Sequence, residues 1–151
     1  MDVRPAPIAG LMVALLSVAS AQTSVEYVGG TGSQVSPGTQ GSIVLADDRY
    51  LAFYAGKTAL RVAYDRINLI EYGQQVGRRL ALALVISPIF LLSKSRKHFL
   101  TVGYSGDDGK QQALVFRVDK DSIRSVLASL EARTGQKVQY QDEQARKARN
   151  Q

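Results

Sequence analysis

Apolar and polar positions run at period two through the middle of the chain and change to a helical period only once, near its end. Leu60, Val62 and Tyr64 alternate with Arg61 and Ala63, as a half-buried strand requires. Ser42–Ala46 and Tyr50–Tyr54 are short β-favouring runs around Asp47-Asp48-Arg49, a hairpin signal, with Gly56-Lys57 as the next turn. Ile67, Leu69, Ile70 and Tyr72 predict another strand that ends at Gly73. Further on, Leu100, Val102 and Tyr104 share one face, as do Leu114, Phe116 and Val118. The turn Ser105-Gly106-Asp107-Asp108-Gly109 joins these two strands into a second hairpin. Ile123, Val126, Leu127 and Leu130 then fall at i, i+3, i+4 and i+7, one face of an α-helix. Asp119 or Asp121 is placed to cap its first amides, and Gly135 to end it in the left-handed conformation.

One segment breaks the pattern. Leu80–Leu92 (LALALVISPIFLL) has thirteen residues, of which only Ser87 is polar. As a helix it would be about 20 Å long against about 30 Å of hydrocarbon, and Pro88 would kink it, so it does not cross a bilayer unaided. Arg78 and Arg79 precede it; Lys94, Arg96 and Lys97 follow; no acidic residue lies between Glu71 and Asp107. Apolar side chains entering the outer part of a membrane while cations meet lipid phosphates would use all of these features. The contact residues on that reading are Arg78, Arg79, Leu80, Leu82, Leu84, Ile86, Ile89, Phe90, Leu91, Lys94, Arg96 and Lys97. Other readings remain open: the run packs against the sheet as part of the core, it spans a membrane with help from elsewhere, or it is a surface for self-association or a protein partner.

The ends of the chain read differently. Residues 1–21 have the form of a secretory signal peptide: Arg4 in the n-region, Ile8–Val18 as the apolar stretch, and Ala19-Ser20-Ala21 as the cleavage pattern. This predicts an exported protein (periplasmic, envelope-bound or secreted) whose mature chain starts at Gln22, with an uncleaved amino-terminal anchor as the alternative. Residues 22–40 are rich in Gly, Ser and Thr, which predicts a flexible linker with no more than a short strand at Val25–Val28. Residues 136–151 form a polar tail, in which Asp142–Arg146 and Glu143–Lys147 support at best a fraying helix.

Composition narrows the chemistry more than the fold. A chain of 151 residues suits one domain, and 45% apolar residues are enough for a packed core. The absence of cysteine excludes disulfides, thiolate metal sites and cysteine nucleophiles. A net charge of +6 suits anionic partners without selecting one. The basic residues flank aliphatic rather than aromatic side chains, which argues against nucleic acid. Gly56-Lys57-Thr58 lacks the earlier glycine of a phosphate loop, since Leu51 stands there. His98 is the only histidine, so a histidine-rich metal site is excluded; as a general base it would need a nucleophile and an orienting carboxylate. Asp47-Asp48 and Asp107-Asp108 lie at hairpin tips, where aspartate serves the backbone. No catalytic, cofactor-binding or metal-binding set emerges.

Leu60-Arg61-Val62-Ala63-Tyr64-Asp65-Arg66-Ile67 running into Ile70-Glu71-Tyr72-Gly73, with the hairpin His98–Val118 and the helix Asp121–Arg133, resembles the pleckstrin-homology-like (PH-like) barrel, particularly the small bacterial PH-like and GRAM-like domains. The likeness covers 41–134. It implies a mainly β (α+β) protein: a barrel of antiparallel strands over 41–135, closed by one C-terminal helix, with the apolar insertion 78–98 between strands four and five. Many members of that family have no known catalytic activity and bind lipids, proteins or themselves. Two departures matter. Asp47, Asp48 and Arg49 stand where phosphoinositide-binding relatives carry lysines and arginines, and the tryptophan often found in the closing helix is absent, leaving Leu127 and Leu130 to fill its place. The resemblance therefore implies a non-catalytic binding module without specific phosphoinositide recognition.

Overall fold

The computed structural model describes residues 22–31, 34–74, 97–141 and the backbone of 85–86. In chain order these form β1 (Gln22–Gly30), β2 (Thr39–Val44), β3 (Tyr50–Ala55), β4 (Thr58–Ala63), a 3-10 turn (Tyr64–Arg66), β5 (Ile67–Gly73), β6 (Val85–Ile86), β7 (His98–Ser105), β8 (Gln111–Val118), α1 (Lys120–Thr134) and β9 (Val138–Tyr140). Eight strands follow one path, β4-β3-β2-β1-β8-β7-β5-β9, and β6 pairs with β1 off that path. Among the described residues, all pairings are antiparallel except β5 with β9.

The protein is mainly β with one C-terminal helix, as the alternation requires, but the sheet is mixed and open where a closed antiparallel barrel is expected. Closure would join β4 to β5. Instead the 3-10 turn separates those strands, and β9 takes the edge of β5 that β7 leaves free.

Residues 22–30 are not a linker. β1 is central, paired with β2 along Gln22–Tyr27 and with β8 along Val25–Gly30. Its apolar side chains at Val25, Tyr27 and Val28 are buried, and its glycines serve packing. A Cβ on Gly30 would lie 2.5 Å from the Tyr27 hydroxyl and 2.8 Å from the Ala113 carbonyl oxygen. The insertion falls where the sequence places it, between the strand Ile67–Gly73 and the strand His98–Ser105; with β1 and β6 counted these are β5 and β7. The polar tail needs a correction of its own. Val138 is buried in the core, and Val138–Tyr140 pair in register with Ile70–Tyr72. A fraying helix beyond Gln141 lies outside the described residues.

The core sits on one face of the sheet. Phe53 and Phe116 have ring centroids 5.2 Å apart, and Tyr27 lies 6.0 and 5.9 Å from them. Ile123, Val126, Leu127 and Leu130 of α1 enter the same cluster, so the helical stripe read from the sequence faces the sheet. Asp119 takes the N-cap position, yet its side chain makes no capping bond. Its carbonyl accepts instead from the Ser122 and Ile123 amides. Gly135 ends the helix at φ 71°, its amide donating to the Glu131 carbonyl at 2.9 Å. The left-handed conformation costs a residue with a Cβ roughly 1–2 kcal/mol, so Gly135→Ala should lower stability by about that amount in urea unfolding. An unchanged midpoint would mean that the helix end relaxes freely.

Candidate functional site

The insertion leaves and rejoins the sheet at a single junction. Gly73, the last residue of β5, is the register partner of Phe99 near the start of β7. Of the residues assigned to surface contact, Arg78, Arg79, Leu80, Leu82, Leu84, Ile89, Phe90, Leu91, Lys94 and Arg96 lie outside the described residues. Ile86 is placed by its backbone, paired with Gly29 in β1, and Lys97 is half-buried where the chain re-enters the sheet.

An aromatic group marks the junction. The Tyr72 and His98 rings stack with centroids 5.8 Å apart and planes 6° from parallel, and Tyr140 meets Tyr72 edge-on at 6.0 Å. The Tyr72 hydroxyl and His98 Nδ1 share a 2.5 Å hydrogen bond. Beside it, the Gln141 side-chain amide donates to the Glu71 carboxylate at 2.6 Å, and the Gln141 amide to the Tyr72 carbonyl at 3.1 Å. β9 thus fastens the strand from which the insertion departs. His98 is joined to a phenol, whereas a general base needs a nucleophile and an orienting carboxylate.

Burial holds the His98 pKa below its ordinary value of 6.5; Lys120 lowers it further, and Asp119 opposes the shift. The folded chain therefore binds this proton less readily than the unfolded chain. The resulting stability is complete above about pH 6.5 and is lost as pH falls through the lowered folded value. His98→Gln should flatten the pH dependence of the urea midpoint between pH 7 and 5. Parallel profiles for the two proteins would show that other groups control it.

Two clefts elsewhere hold charges that are matched locally. A cleft of about 450 Å³ between β4 and the β7–β8 turn is lined by Tyr50, Arg61, Arg66, Tyr104, Asp107 and Gln112. Arg66 is ion-paired with Asp107, and the Arg61 guanidinium lies 6.0 Å from the Tyr54 ring centroid. A second cleft, of about 630 Å³, holds Asp48, Arg49, Tyr64, Asp65 and Arg133. There Arg133 bonds Asp48 at 3.3 Å and lies 5.6 Å from the centre of the Tyr64 ring. Arg66 and Arg133 are thus each answered by an aspartate. Asp47 serves its turn: Oδ1 accepts from the Arg49 and Tyr50 amides at 2.7 and 3.0 Å, and these bonds hold its carboxyl below its usual pKa. Asp108 does likewise for the Lys110 amide at 3.0 Å.

None of these ion pairs was read from the sequence, and a further one lies within the sheet. Glu26 in β1 faces Arg117 in β8, and the Glu26 side chain is only 11% exposed. Reading 22–40 as a linker hides that pairing. Among the described residues no group of three or more His, Asp or Glu is placed to hold a metal ion, and no helix is long and apolar enough to cross a membrane. No family model matches the chain, and no curated protein matches it.

Proposed function

We propose that the protein is a non-catalytic PH-like module of the cell envelope, exported as a chain beginning at Gln22, that associates peripherally with an anionic lipid surface through 78–98. The strand order supports the PH-like part. A meander runs outward from one edge of β1, β5, β7 and β8 return to its other edge, and one helix follows. The observation that carries the lipid part is the junction at Gly73 and Phe99. Arg79 is six residues beyond Gly73 and Lys94 five before Phe99. At 3.3–3.6 Å per residue, all five cations lie within about 20 Å of one point, on either side of thirteen nearly continuous apolar residues. Such a concentration favours a surface that offers phosphate and hydrocarbon together.

Co-sedimentation of the chain from Gln22 onward with vesicles tests the reading. Binding should be strong to vesicles containing phosphatidylglycerol at low salt and weak to pure phosphatidylcholine. A chain that binds neither, and whose light scattering grows with its concentration, would assign 78–98 to self-association instead.

A further inference from the structure

The missing closure leaves one edge of the sheet open. β4 ends the strand path, and among the described residues β3 is its only strand partner. The backbone groups of β4 alternate between that partner and the far side. Gly56 and Lys57 alone separate the paired residues Ala55 and Thr58, and the Tyr64 amide donates to the Arg49 carbonyl at 2.9 Å. Both contacts turn the even-numbered positions toward β3. The N–H and C=O groups of Ala59 and Arg61 therefore point away from the sheet, and both residues are exposed.

Edge strands are usually blunted by proline, by a bulge, by covering structure or by charge. β4 has no proline, and its register with β3 is unbroken from Thr58 to Ala63. Its protection is charge. From Arg49 to Tyr64 the chain carries Arg49, Lys57 and Arg61 and no acidic residue. Beside the edge lies the cleft of about 450 Å³, with Arg61, Val62 and Ala63 on one side and Tyr104, Gly106 and Gln112 on the other.

We propose that the free edge of β4 takes an extended segment of a partner protein as an added strand, in which acidic residues alternate with apolar ones. The residue paired with Arg61 would exchange both backbone hydrogen bonds with it and project on the same face. Tyr50 and Tyr54 stand on that face, 40% and 37% exposed, and the Arg61 guanidinium lies 6.0 Å from the Tyr54 ring centroid. A carboxylate placed there meets a cation directly across the strand pair. The residues before and after it project on the opposite face. There Val62 belongs to the core, and Leu60 and Tyr104 pack against it, so those positions take apolar side chains. At the far end of the cleft Arg66 is already ion-paired with Asp107. The acids of the segment are thus drawn toward Arg61 and Lys57, and its apolar residues toward Tyr104.

Charge also selects such a partner over a second copy of the chain. Two β4 edges paired about a two-fold axis through their outward groups set Arg61 directly opposite its counterpart, or diagonal to it. Like charges in those positions are destabilising. This edge is separate from 78–98, and its occupation does not depend on lipid.

Fluorescence anisotropy of the full chain with a labelled heptapeptide that alternates valine and glutamate tests the proposal. The peptide should bind, and its counterpart with lysine in place of glutamate should not. Arg61→Glu should weaken the glutamate peptide about tenfold and allow the lysine peptide to bind, a rescue that also shows the variant to be folded. Methylating the glutamate amides, which face β4, should abolish binding; methylating the valine amides, which face away, should leave it nearly unchanged. Absence of binding by the glutamate peptide overturns the proposal, as does binding that survives Arg61→Glu. Equal effects of the two methylations overturn it too, by showing that charge alone attracts the peptide. Ala59→Pro removes an outward N–H at a position where an edge tolerates proline. Light scattering that grows with concentration, and stops growing in Ala59→Pro, overturns the proposal in favour of a second copy.

Discussion

Phe116→Ala should lower the free energy of unfolding by about 3–5 kcal/mol, the range for removing a fully buried aromatic ring. Phe116 has no exposed surface and touches the rings of Tyr27 and Phe53, so one truncation opens a void shared by β1, β3 and β8. A domain of this size has only about 5–15 kcal/mol in total, so the loss is a large fraction of it. Phe53→Ala should cost a similar amount. The double variant should lose less than the sum of the two, because the second substitution enlarges an existing cavity and the ring pair, about 0.5–1.5 kcal/mol, is lost only once. Urea unfolding followed by circular dichroism reads all three variants. A loss below about 1 kcal/mol for Phe116→Ala would show that the three rings are not the centre of the core.

The parts of this fold that the sequence made legible are those whose signal is local. The turn at Asp107–Gly109 needs aspartate and a glycine at φ 77°, and the stripe Ile123–Leu130 needs a helix, so neighbouring residues declare both. β1 and β9 are legible only through their partners. In β1, Gly29 and Gly30 resemble linker composition, yet Gly30 is there because the Tyr27 hydroxyl and the Ala113 carbonyl approach too closely for a Cβ. β9 is three residues long and its parallel pairing with β5 has no turn to announce it. Openness of the sheet is a property of edges, and period-two patterning assigns faces, not edges.

Val115 and Phe99 are buried although neither belongs to the core cluster, and the sequence carries a trace of this. Ala113-Leu114-Val115-Phe116 is a continuous apolar run, as is Phe99-Leu100, and strands covered on both faces read that way instead of alternating cleanly. Attention to Leu114, Phe116 and Val118 alone selects the inner face and passes over Val115, which is equally buried. The cation-flanked run was visible by composition alone. Its point of attachment, at Gly73 opposite Phe99, required the register.

Substituting glutamine for Arg78, Arg79, Lys94, Arg96 and Lys97 together should weaken partition onto anionic vesicles by roughly two to three powers of ten at low salt. Each basic residue near such a surface contributes about 1 kcal/mol, and about 1.4 kcal/mol is a factor of ten in partition. Five residues at full strength would give about 3.6 powers of ten, and the half-buried position of Lys97 draws the total below that. Raising the salt should move the unsubstituted chain toward the variant, since the screening length falls from about 10 Å at 0.1 M to about 3 Å at 1 M. A second variant keeps every cation and carries Leu84→Asp with Ile89→Asp. It should lose the binding that remains at high salt, because an inserted leucine or isoleucine contributes about 1.5–3 kcal/mol that salt does not screen. The two variants thus separate the electrostatic from the apolar share. Equal binding by all three proteins at low salt would leave 78–98 with no part in lipid contact.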